Sequence, residues 1–122
     1  MEQRCTYRTM LLERTMQFSV RVIHLVRALP RGIAEDSIAK QLVRSATSIG
    51  ANYRETIHAK SKADFAAKLK ICESEAAETL YWLELLIQSG TVPEHKLSEL
   101  IHETRELVAI FTSSTKTAYK NV

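Results

Sequence analysis

Residues 61–90, SKADFAAKLKICESEAAETLYWLELLIQSG, read as one long helix with a start and a stop signal. Ser61-Lys62-Ala63-Asp64 has the N-cap and N3 chemistry of a capping box, with Asp in place of the usual Glu. Phe65, Leu69, Cys72, Ala76, Leu80, Leu83 and Ile87 then recur at steps of three and four, which lines one face of a helix. Gly90 ends the run. A helix over 62–89 with one apolar face is not stable alone in water; it needs partners that cover that face.

The flanking sequence supplies them. Downstream, Pro93 suits a first helical turn, and Leu97, Leu100, Ile101, Leu107, Val108 and Phe111 define a helix over about 94–115. Upstream, Ile38, Leu42, Ser45, Ala46, Ile49, Tyr53 and Ile57 define a helix over about 37–59, capped by Asp36 or Ser37. Its middle, residues 45–51, is rich in Ser, Ala and Gly, mediocre helix formers whose use implies close approach by a neighbouring helix. A first helix over about 9–28 stops before Leu29-Pro30-Arg31-Gly32, because proline disfavours helical backbone at the residue before it. This first helix carries two apolar stripes, Leu11, Phe18, Val22, Leu25 and Leu29 beside Leu12, Met16, Ile23 and Val26. That face is wider than one bundle core needs, so part of it is expected to pack on another subunit. Four amphipathic helices with short connections give an all-α, antiparallel up-down-up-down four-helix bundle, with residues 1–122 as a single domain.

Composition sets outer bounds. The 122 residues suit one domain and suffice for a core without metal or disulfide. No run approaches the ~18 apolar residues of a membrane span, and Glu13 and Arg14 break any export signal core. A cytoplasmic location is therefore expected, with Cys5 and Cys72 as reduced thiols. The net charge of +3 is unevenly spread: residues 1–70 hold 13 Lys/Arg against 6 Asp/Glu, and residues 71–122 hold 4 against 8. Such asymmetry suits either a basic surface for nucleic acid or mutual attraction between copies.

Three constellations could carry chemistry. Glu55 with His58, and Glu99 with His102, are two Glu-x-x-His pairs, and Glu13 with Glu75 or Glu78 would complete the chain order of a di-iron bundle. Folding the chain about residues 61 and 91 separates the two pairs by about 24 Å of helix, too far for one centre. No metal or other cofactor is expected. His24 and His95 are isolated and read as surface or boundary residues, and no Gly-rich phosphate loop or nucleophile motif is present.

The second constellation is a polar stripe on helix 2, Gln41, Arg44, Ser48, Asn52 and Glu55, facing Glu75, Glu78 and Trp82 on helix 3. Folding about residue 61 puts Arg44 level with Glu78. A guanidinium between two carboxylates forms a bidentate-capable, half-buried network. Two carboxylates could instead share a raised pKa for catalysis, but an adjacent Arg favours their ionised forms and a structural role. No enzymatic activity is expected. The third constellation is basic: Arg54, Lys60, Lys62, Lys68 and Lys70 cluster about the turn between helices 2 and 3, and Arg4, Arg8 and Arg14 fall at the same end. They are candidate phosphate contacts. Only Tyr53 and Phe65 are aromatic nearby, both on core faces, so base stacking is not expected.

Several segments resemble a known bacterial family. They are Ala28-Leu29-Pro30, Gln41 to Glu55 with its Arg44-Ser45-Ala46-Thr47-Ser48-Ile49 core, Asp64-Phe65, and Lys70 to Leu83 with Glu75-Ala76-Ala77-Glu78-Thr79-Leu80-Tyr81-Trp82. Together, over residues 10 to 115, they are similar to the four-helix-bundle proteins encoded within intervening sequences of bacterial 23S ribosomal RNA genes. A related branch is the accessory variability determinant of diversity-generating retroelements, a pentameric barrel that binds nucleic acid and a reverse transcriptase. The resemblance implies a homo-oligomer, a pentamer, with RNA or DNA, a reverse transcriptase or another protein as partner; it implies no enzymatic activity. The alternative is a structural or protein-interaction module that binds no nucleic acid. The modest charge of +3 departs from what strong nucleic-acid binding suggests.

Overall fold

A computed structural model describes residues 6–122; Arg4 and Cys5 lie outside the described residues. Four helices follow one another, α1 (Tyr7–Ala28), α2 (Ile33–Glu55), α3 (Lys62–Gln88) and α4 (Glu94–Lys120), with one 3-10 turn, Thr56–His58, after α2. Helices α2 and α3 run antiparallel. Ser45 pairs with Thr79 and Ile49 with Cys72 across α2 and α3. Glu73 meets Thr112 across α3 and α4, and Gly50 abuts Thr15 across α1 and α2. The described residues form the four helices of the all-α bundle expected from the sequence.

The ends follow local chemistry. Thr6 caps α1 by accepting from the Thr9 N–H at 3.0 Å. Ser61 caps α3 by accepting from the Asp64 N–H at 3.0 Å, and the Asp64 carboxylate reaches back to the Lys60 N–H at 2.9 Å. This is a capping-box arrangement in which the N3 carboxylate accepts from the residue before the N-cap instead of from the N-cap itself. At the far end of α3, Gly90 has φ +75°, a left-handed conformation that only glycine adopts without strain. The N–H of Gly90 bonds the Ile87 carbonyl at 3.0 Å and that of Thr91 the Leu86 carbonyl at 3.1 Å, a Schellman closure.

Three boundaries differ from the sequence reading. Helix α2 begins at Ile33, not near 37; Glu35 and Asp36 then sit in its first turn, where the helix dipole favours carboxylates. It also ends at Glu55, because the backbone tightens into the 3-10 turn. That tightening rotates Thr56 into the core, with its hydroxyl on the Tyr53 carbonyl at 2.6 Å, and leaves Ile57 48% exposed instead of in the core stripe. Finally, α4 does not fray after Thr115. It continues to Lys120 because Thr115 and Ala118 extend the buried spacing of Leu107 and Phe111.

Phe18, Leu42, Ile49, Leu83, Leu86, Leu97, Leu107 and Phe111 are fully buried and form the centre of the core. The small segment of α2 does what small residues permit: a Cβ on Gly50 would lie 3.1 Å from Thr15 Oγ1 and 3.2 Å from Thr15 Cβ. Helix α1 packs chiefly on α2 and meets α4 sparsely. Across that open seam Arg14 and Glu103 form a fork, Nε to Oε2 at 2.7 Å and Nη2 to Oε1 at 2.6 Å. No helix among the described residues is long and apolar enough to cross a membrane.

Candidate functional site

Helices α2 and α3 bring Arg44, Glu75 and Glu78 together as the depth argument anticipates. Arg44 Nη1 donates to Glu75 Oε2 at 3.0 Å and Nη2 donates to Glu78 Oε2, while Nε leans on Gln41 Oε1 at 3.3 Å. Trp82 Nε1 donates to the same Glu78 oxygen at 3.0 Å. The cluster is more open than expected, since the Arg44 side chain keeps 46% of its surface in water. Ser48 and Asn52 do not join it. The Ser48 hydroxyl donates to the Arg44 carbonyl at 2.6 Å and the Asn52 amide to the Ser48 carbonyl at 2.8 Å, the local bonding that short polar side chains favour on a helix. Glu55 lies three turns further along α2, at the rim of the groove between α1 and α2.

The indole hydrogen bond, and then the Arg44 guanidinium, hold the Glu78 carboxyl below its usual range. This favours a fixed anion and disfavours a general acid. A depressed folded pKa contributes stability that is fully present above the unfolded value, about 4.3, and is lost as pH falls through the folded value. Glu78→Gln is therefore expected to cost at most about 1 kcal/mol at pH 7, the scale of exposed ion pairs, with the deficit shrinking once wild-type Glu78 is itself protonated. Urea titrations at pH 7 and pH 3 check this; an equal deficit at both would refute the ionic account.

The basic end holds α1's start, the turn between α2 and α3, and α4's finish. Three of the predicted contacts are engaged within the fold. Arg14 is half-buried in its fork with Glu103. Lys68 bonds Asp64 at 2.9 Å and Lys70 approaches Glu73 at 3.3 Å. Arg8, Arg54, Lys60 and Lys62 are exposed and make no ion pair with another described residue. The added turn of α4 brings two cations the sequence reading missed, Lys116 and Lys120, exposed and likewise without an ion pair among the described residues. Ala118, spaced three from Thr115, was the available signal.

A third surface is apolar. Met10, Met16 and Val20 on α1 are 41%, 43% and 38% exposed. Met16 and Val20, with Leu12 and Ile23, border a groove of about 450 Å³ whose α2 wall includes Gly50 and Ala51. No three His, Cys, Asp or Glu among the described residues converge to hold a metal ion. Cys72 is fully buried, and burial pushes its thiol up to about 12.

The model of the 23S rRNA-intervening sequence protein family matches residues 9–113. A crystal structure from Bacteroides thetaiotaomicron, a protein of unknown function from the S23 ribosomal protein family, is 36% identical with a TM-score of 0.82. The similarity covers 91% of this chain and 99% of that one. No curated protein matches the chain.

Proposed function

The chain belongs to the 23S rRNA-intervening sequence protein family, and we propose that it is a non-enzymatic homo-oligomer that binds RNA through its basic end. The observation that supports this is the placement of Arg8, Arg54, Lys60, Lys62, Lys116 and Lys120 at one end, none ion-paired with another described residue. Unpaired cations neutralise phosphates and release condensed counterions, which drives binding without sequence preference. Assembly rests on the exposed methionines and valine of α1, an apolar surface that a second copy would cover. A ring of five, the assembly implied by the retroelement relatives, would repeat the basic end around one rim.

The alternative, a protein-interaction module without nucleic acid, draws on the low net charge of +3 and on the three cations held internally. Chromatography on heparin and on immobilised RNA separates the two. Retention persisting to roughly 0.5 M salt is expected, given how steeply phosphate contacts depend on salt; passage straight through near 0.1 M would overturn RNA binding. Light scattering on the same samples should give the mass of several copies, and a monomer would overturn assembly.

A further inference from the structure

Tyr7, Tyr119 and Ile57 are among the large apolar side chains that the fold leaves in water at the basic end. Tyr7 opens α1 and is 58% exposed, Tyr119 lies in the last turn of α4 and is 50% exposed, and Ile57 stands out from the 3-10 turn. Neither tyrosine is among the aromatic pairs formed within the described fold. Between the α2–α3 turn and the end of α4 lies a depression of about 450 Å³. Ala59, Phe65 and Ala118 give it an apolar lining, while Lys60, Lys62 and Asn121 give it polar and cationic edges. Because α4 runs on past Thr115, Tyr119 joins this end, so its aromatic groups are not confined to the core-facing Tyr53 and Phe65.

We propose that this end binds single-stranded nucleic acid, with bases stacked on Tyr7 and Tyr119 and phosphates held by the surrounding cations. The inference rests on the RNA-binding reading and specifies its ligand. A duplex presents phosphates outward and keeps its bases stacked on each other, so it gives an exposed tyrosine nothing to stack on and the apolar depression nothing to fill it. An unpaired strand offers both parts at once: a flexible run of charge for the lysines and splayed planar bases for the rings. Because every base has a π-face, such a surface tolerates sequence variation.

Fluorescence anisotropy with the full chain tests this on oligouridylate, oligothymidylate, an RNA duplex of equal length, heparin and an oligoglutamate peptide. At about 0.15 M salt the single strands are expected to bind at least tenfold tighter than the duplex. Tyr119→Leu and Tyr7→Leu should each weaken single-strand binding by about tenfold, the scale of losing one stacked base, and leave heparin binding unchanged. Tyr119→Phe keeps the ring and should restore it. Both side chains are exposed, and an unaltered circular dichroism spectrum and melting point would show that the variants fold. Preference for the ribose or the deoxyribose strand tells RNA from DNA as the ligand. Equal affinity for duplex and single strands, leucine variants that bind like wild type, or tighter binding of oligoglutamate would overturn the stacking proposal, whereas failure to bind any polyanion would overturn the RNA-binding reading with it.

Discussion

Replacing Phe111 by alanine is expected to lower the unfolding free energy by about 3–5 kcal/mol, the range for truncating a buried aromatic side chain. Phe111 is fully buried. Its ring meets Tyr53 edge-on, with centroids 5.6 Å apart and planes at 60°. That contact links α4 to α2 across the middle of the bundle, so no single neighbouring helix can move in to fill the space. Aromatic pairs of this geometry add about 0.5–1.5 kcal/mol beyond area burial. A domain of this size is held by about 5–15 kcal/mol in total, so the variant would lose roughly a fifth or more of its stability. Urea denaturation should show a lower midpoint at unchanged slope. A loss below about 1 kcal/mol would mean that the ring is not packed between α2 and α4 as described.

Changing Lys60, Lys62, Lys116 and Lys120 together to glutamine should leave the fold intact, because all four side chains are exposed and none is ion-paired with another described residue. Its effect on nucleic-acid affinity should be large. Each phosphate contact to a single strand contributes about 0.7 to the slope of log K against log salt. Four lost contacts therefore remove about 2.8 from the slope and roughly two orders of magnitude from affinity near 0.15 M salt. Titrations at several salt concentrations check both numbers. An unchanged slope would place the phosphates elsewhere on the molecule.

The sequence makes the helices legible because each is declared by periodicity together with punctuation: Ser61 before α3, Gly90 after it, Pro30 after α1. Boundaries escape where one signal contradicts another. Ile33 is 95% exposed, so the first turn of α2 lacks an inward apolar residue to announce it. The pairing of Arg44 with Glu75 and Glu78 is legible from depth alone, since helices joined by a short turn meet level with each other. Which cations stay available is legible only in part. Lys68 with Asp64 and Lys70 with Glu73 are spaced as helical neighbours, whereas Arg14 is taken by Glu103, 89 residues away. No local pattern encodes that partner; it depends on how α1 and α4 align.

The sparse seam between α1 and α4 gives the bundle a hierarchy. A bundle closed on all four sides would open as a unit. Here α2, α3 and α4 share continuous walls, while α1 leans on one wall and, among the described residues, is tied across the other side by the Arg14–Glu103 fork and few further contacts. Amide protons of α1 should accordingly exchange with solvent through a lower-energy opening than those of α3, making α1 a separate cooperative unit of folding. The helix with the most exposed apolar surface is then also the one least tied to its own chain, and whatever covers that surface gains most by closing the molecule.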